Sequence, residues 1–193
     1  MPAASGRGRP RRASIDAAIR EATLTLVREG GPAAATMEAV ATRAGVAKTT
    51  LYRRHPDRSA LLEAVLAHAI GSPTQPPDGD VRTKIRWALG EAWRQMGDVL
   101  GTGGLSAVIA DSDPTFTAAF RRTLAPYDAA LAALIEQDVA DGALRPDLDA
   151  DGAVTLFIGA YVGGLIRHGD VAHDWLERCL DLMWVAMTGQ AAD

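Results

Sequence analysis

The sequence predicts an all-α fold in two parts: a small N-terminal domain with a helix-turn-helix, then a larger helical domain. Three observations carry that prediction. Ala and Leu dominate, and no run sustains the period-two alternation of a half-buried strand. Apolar residues recur at helical spacing, as in Ile15, Ile19, Ala22 and Leu26. The stretch GSPTQPPDGD at 71–80 holds three prolines, two glycines and no large apolar side chain, and so divides the chain.

The elements follow in order. Residues 1–13 are read as a flexible basic arm, with Ser14 as the N-cap of a first helix that GGP at 30–32 ends. Thr36 caps a short helix over 37–43, with Glu38 in its first turn. AGV at 44–46 breaks the chain, and a second short helix runs over about 47–54. Asp57 caps a longer helix bearing Leu61, Leu62, Val65 and Leu66, which closes a domain spanning 14–70. Beyond the 71–80 linker, the second domain spans 81–193. Its first helix reaches Leu100, and GTGG at 101–104 is read as a turn. Asp113-Pro114 starts a long helix in which Pro126 should produce a kink or a break. A helix from Asp149 to Arg167 is apolar nearly all round and is read as buried on every side; the last helix runs over 171–187.

Charge separates the two parts. Residues 1–58 carry 11 Arg and Lys against 5 Asp and Glu, a balance of +6, while the rest carries 9 against 19, or −10. A basic first third on an acidic body points that third at a polyanion. Aromatics are unequal in the other direction: nine of ten lie beyond residue 80. The single cysteine excludes an internal disulfide and suits a reducing cytosol. The longest apolar run, at 153–166, is 14 residues, too short for a bilayer span, so no membrane partner is expected. The basic N-terminus lacks the apolar segment of a secretory signal.

Two short helices joined by a glycine turn have the spacing of a helix-turn-helix. Gly45 tolerates positive φ at the turn, and Val46 can plug the junction. In AKTTLYRR at 47–54, Leu51 should point inward. Lys48, Thr49, Thr50, Tyr52 and Arg53 should point outward, where cations meet phosphate or guanine and Thr offers a hydroxyl and a methyl. An ordinary solvated face is the bland alternative.

The ordered stretch TMEAVATRAGVAKTTLYRRHPDRSALLEAV at 36–65 resembles the DNA-binding domain of the TetR family of bacterial regulators. The resemblance implies an all-α homodimer that binds a pseudo-palindromic double-stranded DNA operator and responds to a small apolar ligand. It implies that Thr36 bonds a phosphate, that Lys48, Thr49, Thr50 and Arg53 occupy the groove, and that Tyr52 and Arg58 hold the backbone. His55 stands where an aromatic is usual; imidazole there packs as a flat ring or titrates. Arg7, Arg9, Arg11 and Arg12 in GRGRPRR, beside such a head, read as an accessory DNA arm, with a solvated tail as the alternative. The ligand cavity is expected among Trp87, Trp93, Phe116, Phe120, Tyr127, Phe157 and Tyr161, whose alternative role is core packing. The dimer interface is expected at Gly159, Gly163, Trp175, Cys179 and Met183, on the last two helices.

No metal-ligand spacing, phosphate loop or nucleophile elbow is found, so no cofactor, metal or catalytic residue is expected. The reading is therefore a cytoplasmic, nucleoid-associated regulator, most simply a repressor, and not an enzyme. The alternatives are an activator of the same fold, or a helical small-molecule-binding protein whose basic head meets another polyanion.

Overall fold

A computed structural model describes residues 9–189, with side chains from Ala13 onward. Among the described residues there are α-helices but no strand. In chain order they are α1 (Arg9–Gly30), α2 (Met37–Arg43), α3 (Lys48–Tyr52), α4 (Arg58–Ile70), α5 (Val81–Arg94), α6 (Gly101–Ala110), α7 (Pro114–Ala140), α8 (Ala150–His168) and α9 (Trp175–Thr188). A 3-10 turn, Pro32–Ala34, precedes α2, and a π-helical turn, Gln95–Leu100, precedes α6. The chain forms two compact units. One holds the residues up to Gly71 together with Met96–Leu124; the other holds Ser72–Gln95 and the residues from Ala125.

The first unit packs α1 to α4 around Ile19, Val27, Val40, Leu51, Leu61 and Leu66, all essentially without solvent exposure. The caps are those the sequence offers. Thr36 Oγ1 accepts from the Ala39 N–H at 3.1 Å and Asp57 Oδ1 from the Ala60 N–H at 2.8 Å. The start of α1 differs from expectation. The helix begins at Arg9, not Ser14, with Pro10 in its first turn, where its missing N–H costs nothing. Arg9, Arg11 and Arg12, expected in a flexible arm, therefore belong to helical backbone, while Arg7 lies outside the described residues.

GTGG is also not a turn. It is the first turn of α6, laid against the end of α1 in the same unit. A Cβ built on Gly103 would lie 2.6 Å from Gly31 N and 2.7 Å from Val27 O, so the glycine marks a backbone-to-backbone approach. Gly101, at φ +57, admits the bend that leads into it. The first unit thus includes a segment that the sequence reading assigns to the second domain.

In the second unit Asp80 and Asp149 cap α5 and α8 through the Thr83 and Gly152 N–H groups. The core gathers Ile85, Leu89, Trp93, Phe157, Leu180 and Met187. The helix α7 runs through Pro126 without a break. The expectation that α8 is buried on every side fails within one chain. Ala153, Phe157, Tyr161 and Gly164 face inward, whereas Leu156, Ile158 and Ile166 are exposed.

Candidate nucleic-acid interface

Five residues are too few for α3 to be stable by propensity, and Ala47 gives it no side-chain cap. Tertiary packing holds it. Leu51 has no solvent exposure, and the backbone of α2 turns into α3 through Gly45 at φ +66. The Val46 N–H donates to Ala41 O at 3.0 Å across that turn, and Val46 is half-buried at the junction. Anchoring Leu51 decides which residues face out. Lys48, Thr49 and Arg53 are exposed, Tyr52 is 51% exposed, and Thr50 is half-buried. The expected groove face is therefore presented together on one short helix, with Thr36 exposed at the start of α2.

Ion pairs set the charge of this face. Lys48 Nζ bonds Glu38 Oε1 at 2.5 Å, which holds the Glu38 carboxyl below its ordinary range. Both side chains are more than half exposed, so the pair is weak and Lys48 can exchange it for a phosphate. Sequence reading missed this partner, although Glu38 and Lys48 flank the turn. Arg54 is different: its Nε lies 3.1 Å from Asp16 Oδ1 with the side chain 17% exposed, tying the end of α3 to α1. His55 is half-buried, and burial is the main cause that pushes its pKa down, with the Asp16 charge opposing it.

Arg58 stands at the start of α4, as the family resemblance expects, and is engaged there by two partners of its own unit. Its Nη2 donates to Pro32 O at 2.5 Å and to Asp113 Oδ2 at 2.7 Å, inside the first unit. A partly buried carboxylate thus competes for the guanidinium that the resemblance gives to the DNA backbone. Burial pushes the Asp113 carboxyl up, but the Phe116 N–H and the Arg58 hydrogen bond and charge outweigh it and leave the pKa below the ordinary value.

The expected pocket residues are divided between the two units. Phe116 and Phe120 are buried in the first unit. In the second, Trp93 donates its Nε1–H to Phe157 O at 3.1 Å and meets Tyr161 edge-on at 5.4 Å, so Trp93, Phe157 and Tyr161 form one packed cluster. Tyr127, half-buried, has its pKa raised by burial and by the Glu91 charge, and Trp87 is half-buried.

The expected dimer residues divide as well. Gly159 and Gly163 have nothing within 4 Å of where a Cβ would stand. Cys179 is buried in its own chain, where burial raises the thiol pKa, so it is not available to a partner. Trp175 is half-buried, with its Nε1–H donated to Ala160 O at 2.9 Å, and Met183 is half-buried. The most exposed large apolar side chains of the second unit are Ile166 and Leu182, each 79% exposed, and Leu156 and Val185 are exposed as well. The all-round apolar pattern of α8 signals Leu156 and Ile166, while Leu182 and Val185 lie on α9; all four fall on the two helices expected to meet a second copy, though none was among the residues named for it. Length and composition alone would let α8 cross a membrane, but its inner face carries Phe157 and Tyr161, packed against Trp93 of α5.

A family model described as "Bacterial regulatory proteins, tetR family" matches residues 19–65, and one described as "Tetracyclin repressor-like, C-terminal domain" matches residues 75–183. The chain is 28% identical over 197 residues to an uncharacterized HTH-type transcriptional regulator, YdeS, of Bacillus subtilis strain 168, covering 97% of this chain and 96% of that one. It is 32% identical over 123 residues to the HTH-type transcriptional repressor KstR of Rhodococcus jostii RHA1, covering 62% of this chain and 51% of that protein. Among solved structures, the regulator FadR from Bacillus subtilis in complex with stearoyl-CoA superposes with a TM-score of 0.65 at 16% identity, covering 90% and 98% of the two chains. At that identity the likeness is one of fold.

Proposed function

The chain belongs to the TetR family of bacterial regulatory proteins and is a ligand-responsive DNA-binding regulator of transcription, and we propose that it is a repressor released from a pseudo-palindromic operator by a small apolar molecule. The observation that carries the reading is the outward face of α3, where Lys48, Thr49, Tyr52 and Arg53 are exposed together while Leu51 anchors the helix. Lys48 and Arg53 meet phosphate or guanine, Thr49 and Thr50 meet base edges, and Tyr52 and Thr36 meet backbone phosphates. Two such heads in a homodimer read half-sites about one helical turn apart. The arginines at 7, 9, 11 and 12 add positive charge immediately before this head in the sequence, and we propose them as an accessory DNA arm.

Release is a linkage between two states. A ligand that prefers the state unable to bind DNA shifts the population toward it, and DNA weakens ligand binding by the same factor. The aromatic cluster of the second unit, with Trp87 and Glu91 also on α5 and Tyr127 on α7, supports an apolar ligand carrying one polar group. FadR binds stearoyl-CoA, so an acyl thioester is one compound to test. TetR-family regulators are in general soluble, cytoplasmic, non-enzymatic DNA-binding proteins; we place this one at the nucleoid, with no catalysis of its own. Selecting genomic fragments on the homodimer, then titrating the selected duplex with each compound that binds the protein, tests the proposal. The expected result is a palindromic site whose affinity falls as ligand is added. A site whose affinity is unchanged by every bound compound overturns the release mechanism.

A further inference from the structure

The side chain of Arg58 joins three elements of the first unit. Its Nη2 donates to the carbonyl of Pro32, in the 3-10 turn before α2, at 2.5 Å. The same nitrogen donates to Asp113 Oδ2, at the start of α7, at 2.7 Å. Both partners are shielded: the Arg58 side chain is 30% exposed and that of Asp113 is 17% exposed. The other carboxylate oxygen, Asp113 Oδ1, accepts the Phe116 N–H at 3.0 Å and caps α7. On the far side, Pro32 O also accepts the Ala35 N–H at 3.0 Å, closing the turn that delivers Thr36 to the start of α2. One carboxylate therefore fixes the first turn of α7 and, through one guanidinium, the turn that aims the helix-turn-helix. A second pair, Arg122 Nη2 to Glu63 Oε1 at 2.5 Å, links α7 and α4 nearby, but both side chains are more than half exposed.

We propose that Arg58 and Asp113 are positioning residues for DNA binding, which set the turn before α2 from the first turn of α7, and that Arg58 is not a phosphate contact. The inference rests on the DNA-binding reading above. It reaches beyond that reading, because it gives an acidic residue outside the matched 19–65 segment a favourable role in binding a polyanion. Electrostatics alone demands the opposite sign. Removing a carboxylate from a DNA-binding unit should tighten binding, whereas removing the anchor of Arg58 should loosen it.

The test is a salt titration of the selected operator duplex and of random duplex, with wild type, Arg58→Gln, Asp113→Asn and the double variant. A phosphate contact by Arg58 would make Arg58→Gln lower the log–log salt slope by about 0.9. The positioning role expects the slope to be unchanged, with operator affinity about tenfold weaker in each single variant and the double variant no weaker than either alone. Asn keeps a cap oxygen for Phe116 but turns a donor toward Arg58; Asp113→Ser, which also caps, replaces it if the Asn variant does not fold. Operator binding by Asp113→Asn or Asp113→Ser as tight as wild type overturns the inference while leaving the regulator reading intact. So does a full-contact fall in the slope of Arg58→Gln. A wild type that binds no duplex overturns both.

Discussion

Gly103→Ala is the sharpest perturbation of the fold, because sequence and structure give it opposite signs. In an exposed helix interior, Ala in place of Gly gains about 1 kcal/mol of propensity. Here the new methyl would stand 2.6 Å from Gly31 N, 2.7 Å from Val27 O and 2.8 Å from Arg28 O. All three are backbone atoms, so no rotamer change relieves them. Reaching ordinary contact near 3.4 Å means separating α1 from α6 by about 0.8 Å in an interior packed at crystal density. It also disturbs the Gly31 N–H bond to Val27 O, 2.9 Å, that ends α1. Overpacking costs about 1–3 kcal/mol, and unyielding neighbours place this site at the upper end. After the propensity gain the net loss is about 1–2 kcal/mol, which lowers Tm by about 2–8 °C for a chain of this size. Gly104→Ala is the internal comparison: its nearest atoms, at 3.1 and 3.2 Å, are the Val27 and Leu100 side chains, which can yield, so its loss should be smaller. Circular-dichroism melts and urea titration measure both. A Gly103→Ala variant that melts at or above wild type would refute the close approach of the two backbones.

The remaining expectations concern the DNA face, the exposed apolar face and pH. Lys48→Ala should weaken operator binding and lower the salt slope by about 0.9 with Tm unchanged, and Tyr52→Ala should weaken it likewise in fluorescence anisotropy. Leu182→Asp, at a side chain 79% exposed in one chain, should leave helix content unchanged but give a monomer in sedimentation equilibrium. The Asp113 carboxyl is depressed in the folded state, so its stabilisation is present above its unfolded pKa and is lost as pH falls through the lower, folded value. Urea midpoints should therefore fall less steeply in acid for Asp113→Asn than for wild type. Removing residues 1–8, which leaves α1 from Arg9, should lower the salt slope through loss of Arg7 while the dimer persists in sedimentation.

Local chemistry made most of the helical plan legible. Thr36, Asp57, Asp113 and Asp149 each cap the helix that follows, because a short side-chain oxygen answers an unpaired N–H wherever the chain turns into a helix. The outward face of α3 was legible because one apolar residue, Leu51, in a short polar helix leaves little choice of inside. The failures share a cause. GTGG carries every local mark of a turn, and only the presence of α1 makes it a packing surface. Arg58 matches a family position, but its partner Asp113 lies 55 residues on, a pairing no local pattern announces. Phe116 and Phe120 read as companions of Phe157, yet they pack in the other compact unit, since helical spacing gives a face and not the neighbour it meets.

The two glycine groups, alike in sequence, also argue for the second copy of the chain. A glycine inside a helix costs about 1 kcal/mol against alanine, so clustered helical glycines need something that offsets them. At Gly103 and Gly104 the offset lies inside the chain: α1 and α6 approach through them. At Gly159 and Gly163 no atom of another element lies within 4 Å of a Cβ among the described residues. They share α8 with Leu156, Ile158 and Ile166, and α9 adds Leu182 and Val185, all exposed. A helix face that gives up propensity for closeness, and leaves large apolar side chains in water, is stable only when another surface covers it. For a member of this family we propose that this surface is the same face of a second copy. On that proposal Leu156, Ile166 and Leu182 would become its interior, with Gly159 and Gly163 letting the backbones approach, and Cys179 would stay in the core of each chain.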